Sequence, residues 1–183
     1  MVLADTLRFG ESSVRKMRAW PQKHLPPSPT PIRVLECGSG NGTLLLSFLT
    51  SPSGSKPQSF HLTGIDYSDG AIELARGVEA SRRAALDDDD EDVVRNEVEI
   101  GWRQGDFLRD TIDEEWDLVL DKGTFDALAL SDKVVEGDGR LPSRVYPEKV
   151  ARLVREGGVF LITSCNFTEE EIRRRYTRPE LGQ

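Results

Sequence analysis

The stretch Ile32-Arg33-Val34-Leu35-Glu36-Cys37-Gly38-Ser39-Gly40-Asn41-Gly42 decides how the rest of the chain is read. Its first half is a β-rich apolar run, and its second half is a turn with glycine at alternate positions. Leu44, Leu45, Leu46, Phe48 and Leu49 follow at once, so a strand passes through a tight turn into a helix that is apolar nearly all round. Without β-carbons, Gly38, Gly40 and Gly42 let backbone approach a ligand and present N–H groups at the helix start. Alone, the turn suits a dinucleotide, an adenosyl cofactor or a plain structural corner.

Outward from it, strand and helix patterns alternate. Further strands are predicted at Phe60–Ile65, Val98–Arg103, Trp116–Asp121 and Val159–Asn166, the last a nearly continuous apolar run suited to the middle of a parallel sheet. Helices are predicted from an N-cap at Ser68 to about Ala85, over Pro147–Arg155, and from the capping box Thr168/Glu171 through Arg175. The proline- and serine-rich residues 51–59 and the acidic residues 86–96, which include Asp87-Asp88-Asp89-Asp90-Glu91-Asp92, are expected to be flexible insertions. Residues 1–183 are read as one α/β domain with a mainly parallel sheet and crossover helices on both faces. Ligands of such sheets bind beyond the strands' carboxyl ends.

Composition narrows the function. A formal charge of −8 and a pI near 4.9 disfavour a nucleic-acid backbone and favour a basic partner. No apolar run approaches the roughly 20 residues that span a bilayer, and Met1–Phe9 lacks the pattern of a signal peptide, so a cytoplasmic protein with no membrane partner is expected, as a monomer. Cys37 and Cys165 both sit in apolar segments and read as reduced, packed thiols. His24 and His61 have no ligand-spaced partners, so no metal is expected. Trp20, Trp102 and Trp116 read as packing residues.

Three acids end successive predicted strands. Asp66 can accept two hydrogen bonds from the ribose hydroxyls of an adenosine. Asp106, in Gly105-Asp106-Phe107, can accept from an adenine amino group while Tyr67 or Phe107 packs against the ring. Asp121 opens Asp121-Lys122-Gly123-Thr124-Phe125-Asp126-Ala127, and two roles are open to it: a carboxylate near a methionine amino group or an incoming amine, or a helix cap.

Val34–Gly42 resembles the first motif of class I S-adenosylmethionine-dependent methyltransferases. Asp121–Leu128, together with Phe160-Leu161-Ile162-Thr163-Ser164-Cys165-Asn166 and Phe9-Gly10-Glu11-Ser12, resembles a narrower group, the lysine methyltransferases of translation elongation factor 1-alpha. The resemblance covers about residues 9–175. It implies a Rossmann-like sheet with S-adenosyl-L-methionine as cofactor and elongation factor 1-alpha as protein substrate. It further implies that Glu36, Gly38, Gly40 and Gly42 hold the methionine end, Asp66 the ribose, and Asp106 with Phe107 the adenine, while Asp121 faces the substrate as the catalytic carboxylate. Nucleic-acid amino methyltransferases usually carry Asn or Asp, Pro, Pro and an aromatic where this chain has Asp121-Lys122-Gly123-Thr124.

Class I sheets usually finish with a sixth and an antiparallel seventh strand, for which nothing after Arg175 is suited. The chain is therefore expected to be truncated at both ends; taken as the whole product, it would leave Val159–Asn166 at a sheet edge. Two rivals follow: a cofactor-binding remnant without catalysis, and a dinucleotide-dependent oxidoreductase. The latter needs G-x-G-x-x-G, and here the third glycine comes one residue early.

Overall fold

The computed structural model describes residues 2–5, 11–25, 28–51, 56–88 and 94–177. The elements in chain order are β1 (Val2–Asp5), α1 (Glu11–His24), β2 (Ile32–Cys37), α2 (Thr43–Leu46), a 3-10 turn (Ser47–Leu49), β3 (Ser59–Asp66), α3 (Asp69–Asp88), β4 (Glu97–Gln104), β5 (Trp116–Lys122), α4 (Thr124–Ala129), α5 (Pro142–Ala151), β6 (Val154–Thr163) and α6 (Glu169–Tyr176). One sheet of six strands runs in the order β1-β6-β5-β2-β3-β4, and every pairing in it is parallel.

Side-chain alternation along the strands divides the core in two. Ile32 and Val34 of β2 and Leu118 and Leu120 of β5 face Met17 of α1, Leu44–Leu46 of α2 and Ile72 and Ala75 of α3. Leu35 and Cys37 of β2 and Val119 of β5 face Phe125 of α4, Tyr146 and Val150 of α5, and Ile172 and Tyr176 of α6. Burying each such Leu, Val or Phe contributes about 1.5–3 kcal/mol, so both helical layers are held by the sheet's two apolar faces.

All five predicted strands form, four of them within one residue at each end. The exception is β6, which begins at Val154 and stops at Thr163, three residues before the predicted end. The Ser164 hydroxyl accepts from the amides of Asn166 and Phe167, an alternative to the ladder that turns the chain out of the sheet. The helix predicted at Pro147–Arg155 begins instead at Pro142, whose missing N–H costs nothing in a first turn, and it carries Pro147 internally. The single helix predicted to carry Leu44, Leu45, Leu46, Phe48 and Leu49 splits into α2 and the 3-10 turn. Helix α3 continues through Asp88, so residues 86–88 are helical where an insertion was expected, and residues 89–93 lie outside the described residues. Of 51–59, residues 52–55 also lie outside them, while Ser59 opens β3.

Val159–Asn166, which the chain taken as the whole product would leave at a sheet edge, is covered instead: β1 lies parallel to β6 from Val2 opposite Phe160 to Asp5 opposite Thr163. Among the described residues no strand follows β6. None of the described helices is long and apolar enough to cross a membrane.

From β2 the chain steps outward through β3 and β4, then returns to place β5 on the other side of β2. The order reverses between β2 and β5, where Cys37 stands opposite Asp121 in register. The crevice at that switch point is where a sheet of this kind receives its ligand.

Candidate active site

Beyond the switch point the glycine turn is tied to the neighbouring strand. The amides of Gly38 and Ser39 donate to the Ile65 carbonyl at 2.8 and 3.1 Å, and the Gly42 amide donates to the Ser39 carbonyl at 2.9 Å. Gly38, at φ 66°, lies so close to Thr124 that a β-carbon would sit 2.0 Å from its hydroxyl oxygen. Gly42 is backed by Trp102, whose ring would meet a β-carbon at 2.5 Å, and Gly64 meets the same ring. At Gly40 a β-carbon would find nothing within 4 Å, so the turn is packed at both shoulders and open at its crest.

Asp66 joins this turn. Its Oδ2 accepts from the Gly40 amide and its Oδ1 from the Ser68 amide, each at 2.9 Å, and the residue is 7% exposed. The Gly105 amide donates to the Asp66 carbonyl, and the Gln104 side chain donates to the Tyr67 carbonyl, so the tips of β2, β3 and β4 form one hydrogen-bonded rim. Asp106 is partly exposed on that rim and accepts from the Leu108 amide. The two aromatic candidates separate: Tyr67 is 78% exposed, whereas Phe107 is buried edge-on against Tyr146. Only the Tyr67 ring is free to cover a planar ligand.

Glu36 is buried beneath the turn on the α2 side. Burial pushes its carboxyl up to about 8, against the pull of Lys122 and of a hydrogen bond from the Leu45 amide. Its Oε2 has no hydrogen-bond partner, and neither does the buried Ser39 hydroxyl nearby in the chain. An enclosed carboxylate oxygen left without a donor costs about 1–3 kcal/mol or more, and a primary ammonium is the chemistry that satisfies it. The open crest at Gly40, the acid at Asp66 and this orphan oxygen fit the groups of an S-adenosylmethionine molecule.

Asp121 was expected to face the substrate. In the structure it is fully enclosed on the α4–α5 side, accepting from the amides of Thr124 at 2.8 Å and Phe125 at 3.0 Å and from the Tyr146 hydroxyl at 2.8 Å. This is the helix-cap arrangement, and burial raises the carboxyl to about 7 despite those three donors. Thr124 completes the corner by donating its hydroxyl to the Cys37 carbonyl at 2.7 Å.

Sequence reasoning missed several of these supports. Trp102 carried no signal beyond packing, and Tyr146 sits in a helix whose start was misplaced. Thr124, Asp126 and Ser164 lay inside the quoted motifs, but the bonds of Thr124 to Cys37 and of Ser164 to Asp126 become visible only when α4 is placed. A cavity of about 600 Å³ is lined by Arg33, Phe107, Glu114, Lys149 and Leu153.

Comparison with known proteins shows the family. A family model described as a methyltransferase domain matches residues 30–180. The protein-lysine N-methyltransferase efm4 of Schizosaccharomyces pombe is 36% identical over 178 residues, covering 93% of this chain and 69% of the relative. Human EEF1A lysine methyltransferase 2 is 32% identical over 171 residues, covering 92% of this chain and 61% of the relative. Among solved structures, a SAM-dependent methyltransferase from Geobacter sulfurreducens in complex with S-adenosyl-L-homocysteine superposes with a TM-score of 0.52 at 22% identity, over 84% of this chain and 47% of that one, which shows the fold. The chain belongs to the class I S-adenosylmethionine-dependent methyltransferases, within the family of protein-lysine N-methyltransferases that includes efm4.

Proposed function

We propose that this chain transfers a methyl group from S-adenosylmethionine to a lysine of translation elongation factor 1-alpha. The observation that carries the cofactor half is the unpartnered Glu36 Oε2 beneath the open crest at Gly40, with Asp66 beside it. The substrate half is supported by relatives named for lysine methylation of that factor, and by an acidic chain suited to a basic partner.

When bound, the cofactor supplies a methyl on a cationic sulfonium that an amine takes by in-line displacement. The chain's own residues bind and orient. Glu36 and Ser39 would hold the amino-acid end, Gly38, Gly40 and Gly42 admit it, Asp66 would accept from the ribose, and Asp106 and Tyr67 would frame the adenine. The acceptor lysine must arrive neutral, which at about pH 7.4 and a reference pKa near 10.4 costs on the order of 4 kcal/mol. Burial at the crevice disfavours the ammonium and offsets part of that cost, whereas a free carboxylate would oppose it. The enclosed Asp121 suits this requirement, because it fixes the tip of β5 without offering the amine an ion pair.

The dinucleotide reading fares worse. The amides of Gly38, Ser39, Gly40 and Gly42 already have partners inside the protein, and α2 spans four residues, so no row of free N–H groups awaits a pyrophosphate. The reading includes a monomeric cytoplasmic protein that binds neither nucleic acid nor membrane. Incubation with labelled S-adenosylmethionine and purified elongation factor 1-alpha tests it: label on a single lysine supports it, and absence of label favours the non-catalytic remnant.

A further inference from the structure

We propose that Asp126 is a positioning residue for the acceptor side of the site, an inference that rests on the methyl-transfer reading and names the part that receives the lysine. The cofactor candidates occupy the tips of β2, β3 and β4, which leaves the tips of β5 and β6 for the acceptor. Those two tips are joined through α4. At its start the helix is held by Asp121 and Thr124. From its first turn Asp126, 4% exposed, reaches across to β6, where Oδ1 accepts from the Ser164 hydroxyl and Oδ2 from the Cys165 amide at 2.8 Å. The Ser164 hydroxyl in turn accepts from the amides of Asn166 and Phe167 at 3.2 and 3.0 Å, and the Phe167 ring packs against Phe125 of the same helix.

One buried carboxylate thus fixes the course of residues 164–167, of which Cys165 and Asn166 are exposed. The two family-specific motifs, Asp121–Leu128 and Phe160–Asn166, are bonded to each other, and Asp126 is the joint. Loss of its carboxylate leaves the Ser164 hydroxyl and the Cys165 amide without acceptors and frees the β6 tip. An amine that must lie on one axis with methyl and sulfur is sensitive to a displacement of about 1 Å.

The test compares Asp126→Ala, Asp126→Asn and Ser164→Ala in full-length chain with elongation factor 1-alpha as acceptor. It reads kcat, KM for the acceptor, and S-adenosylhomocysteine affinity by calorimetry. Asp126→Ala is expected to lower kcat/KM about tenfold to a hundredfold, mainly through kcat, with S-adenosylhomocysteine affinity within about twofold. Asp126→Asn should recover part of that loss, since its single carboxamide oxygen can accept from either the Ser164 hydroxyl or the Cys165 amide, but its NH2 cannot replace the second acceptor. Ser164→Ala should fall between them. Either an Asp126→Ala variant that transfers methyl as well as the wild type, or one that loses cofactor binding and turnover in equal measure, overturns the proposal. A wild-type protein that labels no acceptor defeats the functional reading itself and this inference with it, whereas an active wild type isolates the role of Asp126.

Discussion

The Tyr146 hydroxyl donates a 2.8 Å hydrogen bond to Asp121 Oδ2, with both residues fully buried. On the other side of that carboxylate stand the first amides of α4, so a helix start and a side chain of α5 close on one acid. Tyr146→Phe keeps the ring between Phe107 and Phe125 and removes only the hydroxyl, and it should cost about 1–2 kcal/mol of stability. Asp121→Asn should lower turnover more than cofactor affinity, because the tip of β5 rather than a cofactor contact is disturbed. Equal losses of turnover and affinity would contradict that role.

The same burial makes the free protein sensitive to pH. Asp121 is raised to about 7 and Glu36 to about 8, so the folded state holds more protons than the unfolded chain between roughly pH 4 and 8. Their contribution is fully present below the ordinary carboxylate range and is lost as pH rises through those values. The melting temperature of the ligand-free protein should therefore fall between pH 5 and pH 8 (about), and Asp121→Asn should flatten the slope. A melting temperature that rises across that window in the wild type would count against the assignment.

Glu36 also predicts a proton signature of binding. An ammonium against its unpartnered oxygen favours the ionised form, so S-adenosylhomocysteine binding near pH 6.5 (about) should release protons. Calorimetry in buffers of different ionisation enthalpy reads the release directly. Glu36→Gln should abolish it, and a wild-type enthalpy independent of buffer would remove Glu36 from the amino-acid end.

The glycines and Asp66 should separate folding from binding. Gly38→Ala puts a methyl 2.0 Å from the Thr124 hydroxyl oxygen at φ 66°, and should damage folding and binding together. Gly40→Ala meets open space, so it should cost about 1 kcal/mol of backbone strain at φ 53° yet obstruct the ligand. Asp66→Ala should weaken S-adenosylhomocysteine by roughly 1–3 kcal/mol. A Gly40→Ala protein that binds as tightly as the wild type would show that the ligand does not pass over the crest.

Much of this architecture was legible because apolar strands and a glycine-interrupted turn carry their signal locally. Ile32–Cys37 needed no partner to be recognised, and Thr168 with Glu171 announced a capping box that forms in full. Helix α1 and β1 were not seen at all. The former carries Pro21 within a polar stretch, and the latter has four residues whose identity as a strand depends on pairing with β6. Helix α4 has six residues, too few to show a period, so the sequence left both a crevice-facing acid and a helix cap open to Asp121. A carboxylate at a strand tip looks the same in sequence whether it opens on a crevice or folds back on the next helix. Here the choice was made by Gly123 at φ 88°, which turns the amides of Thr124 and Phe125 toward it.

The most direct measurement is transfer of labelled methyl from S-adenosylmethionine to purified elongation factor 1-alpha, read by peptide mass at each lysine. Label is expected on one lysine, lost with Asp66→Ala at low cofactor concentration and restored when cofactor is raised. A wild-type protein that binds the cofactor and labels no lysine, or one whose labelling ignores Asp66 and Glu36 alike, would contradict it.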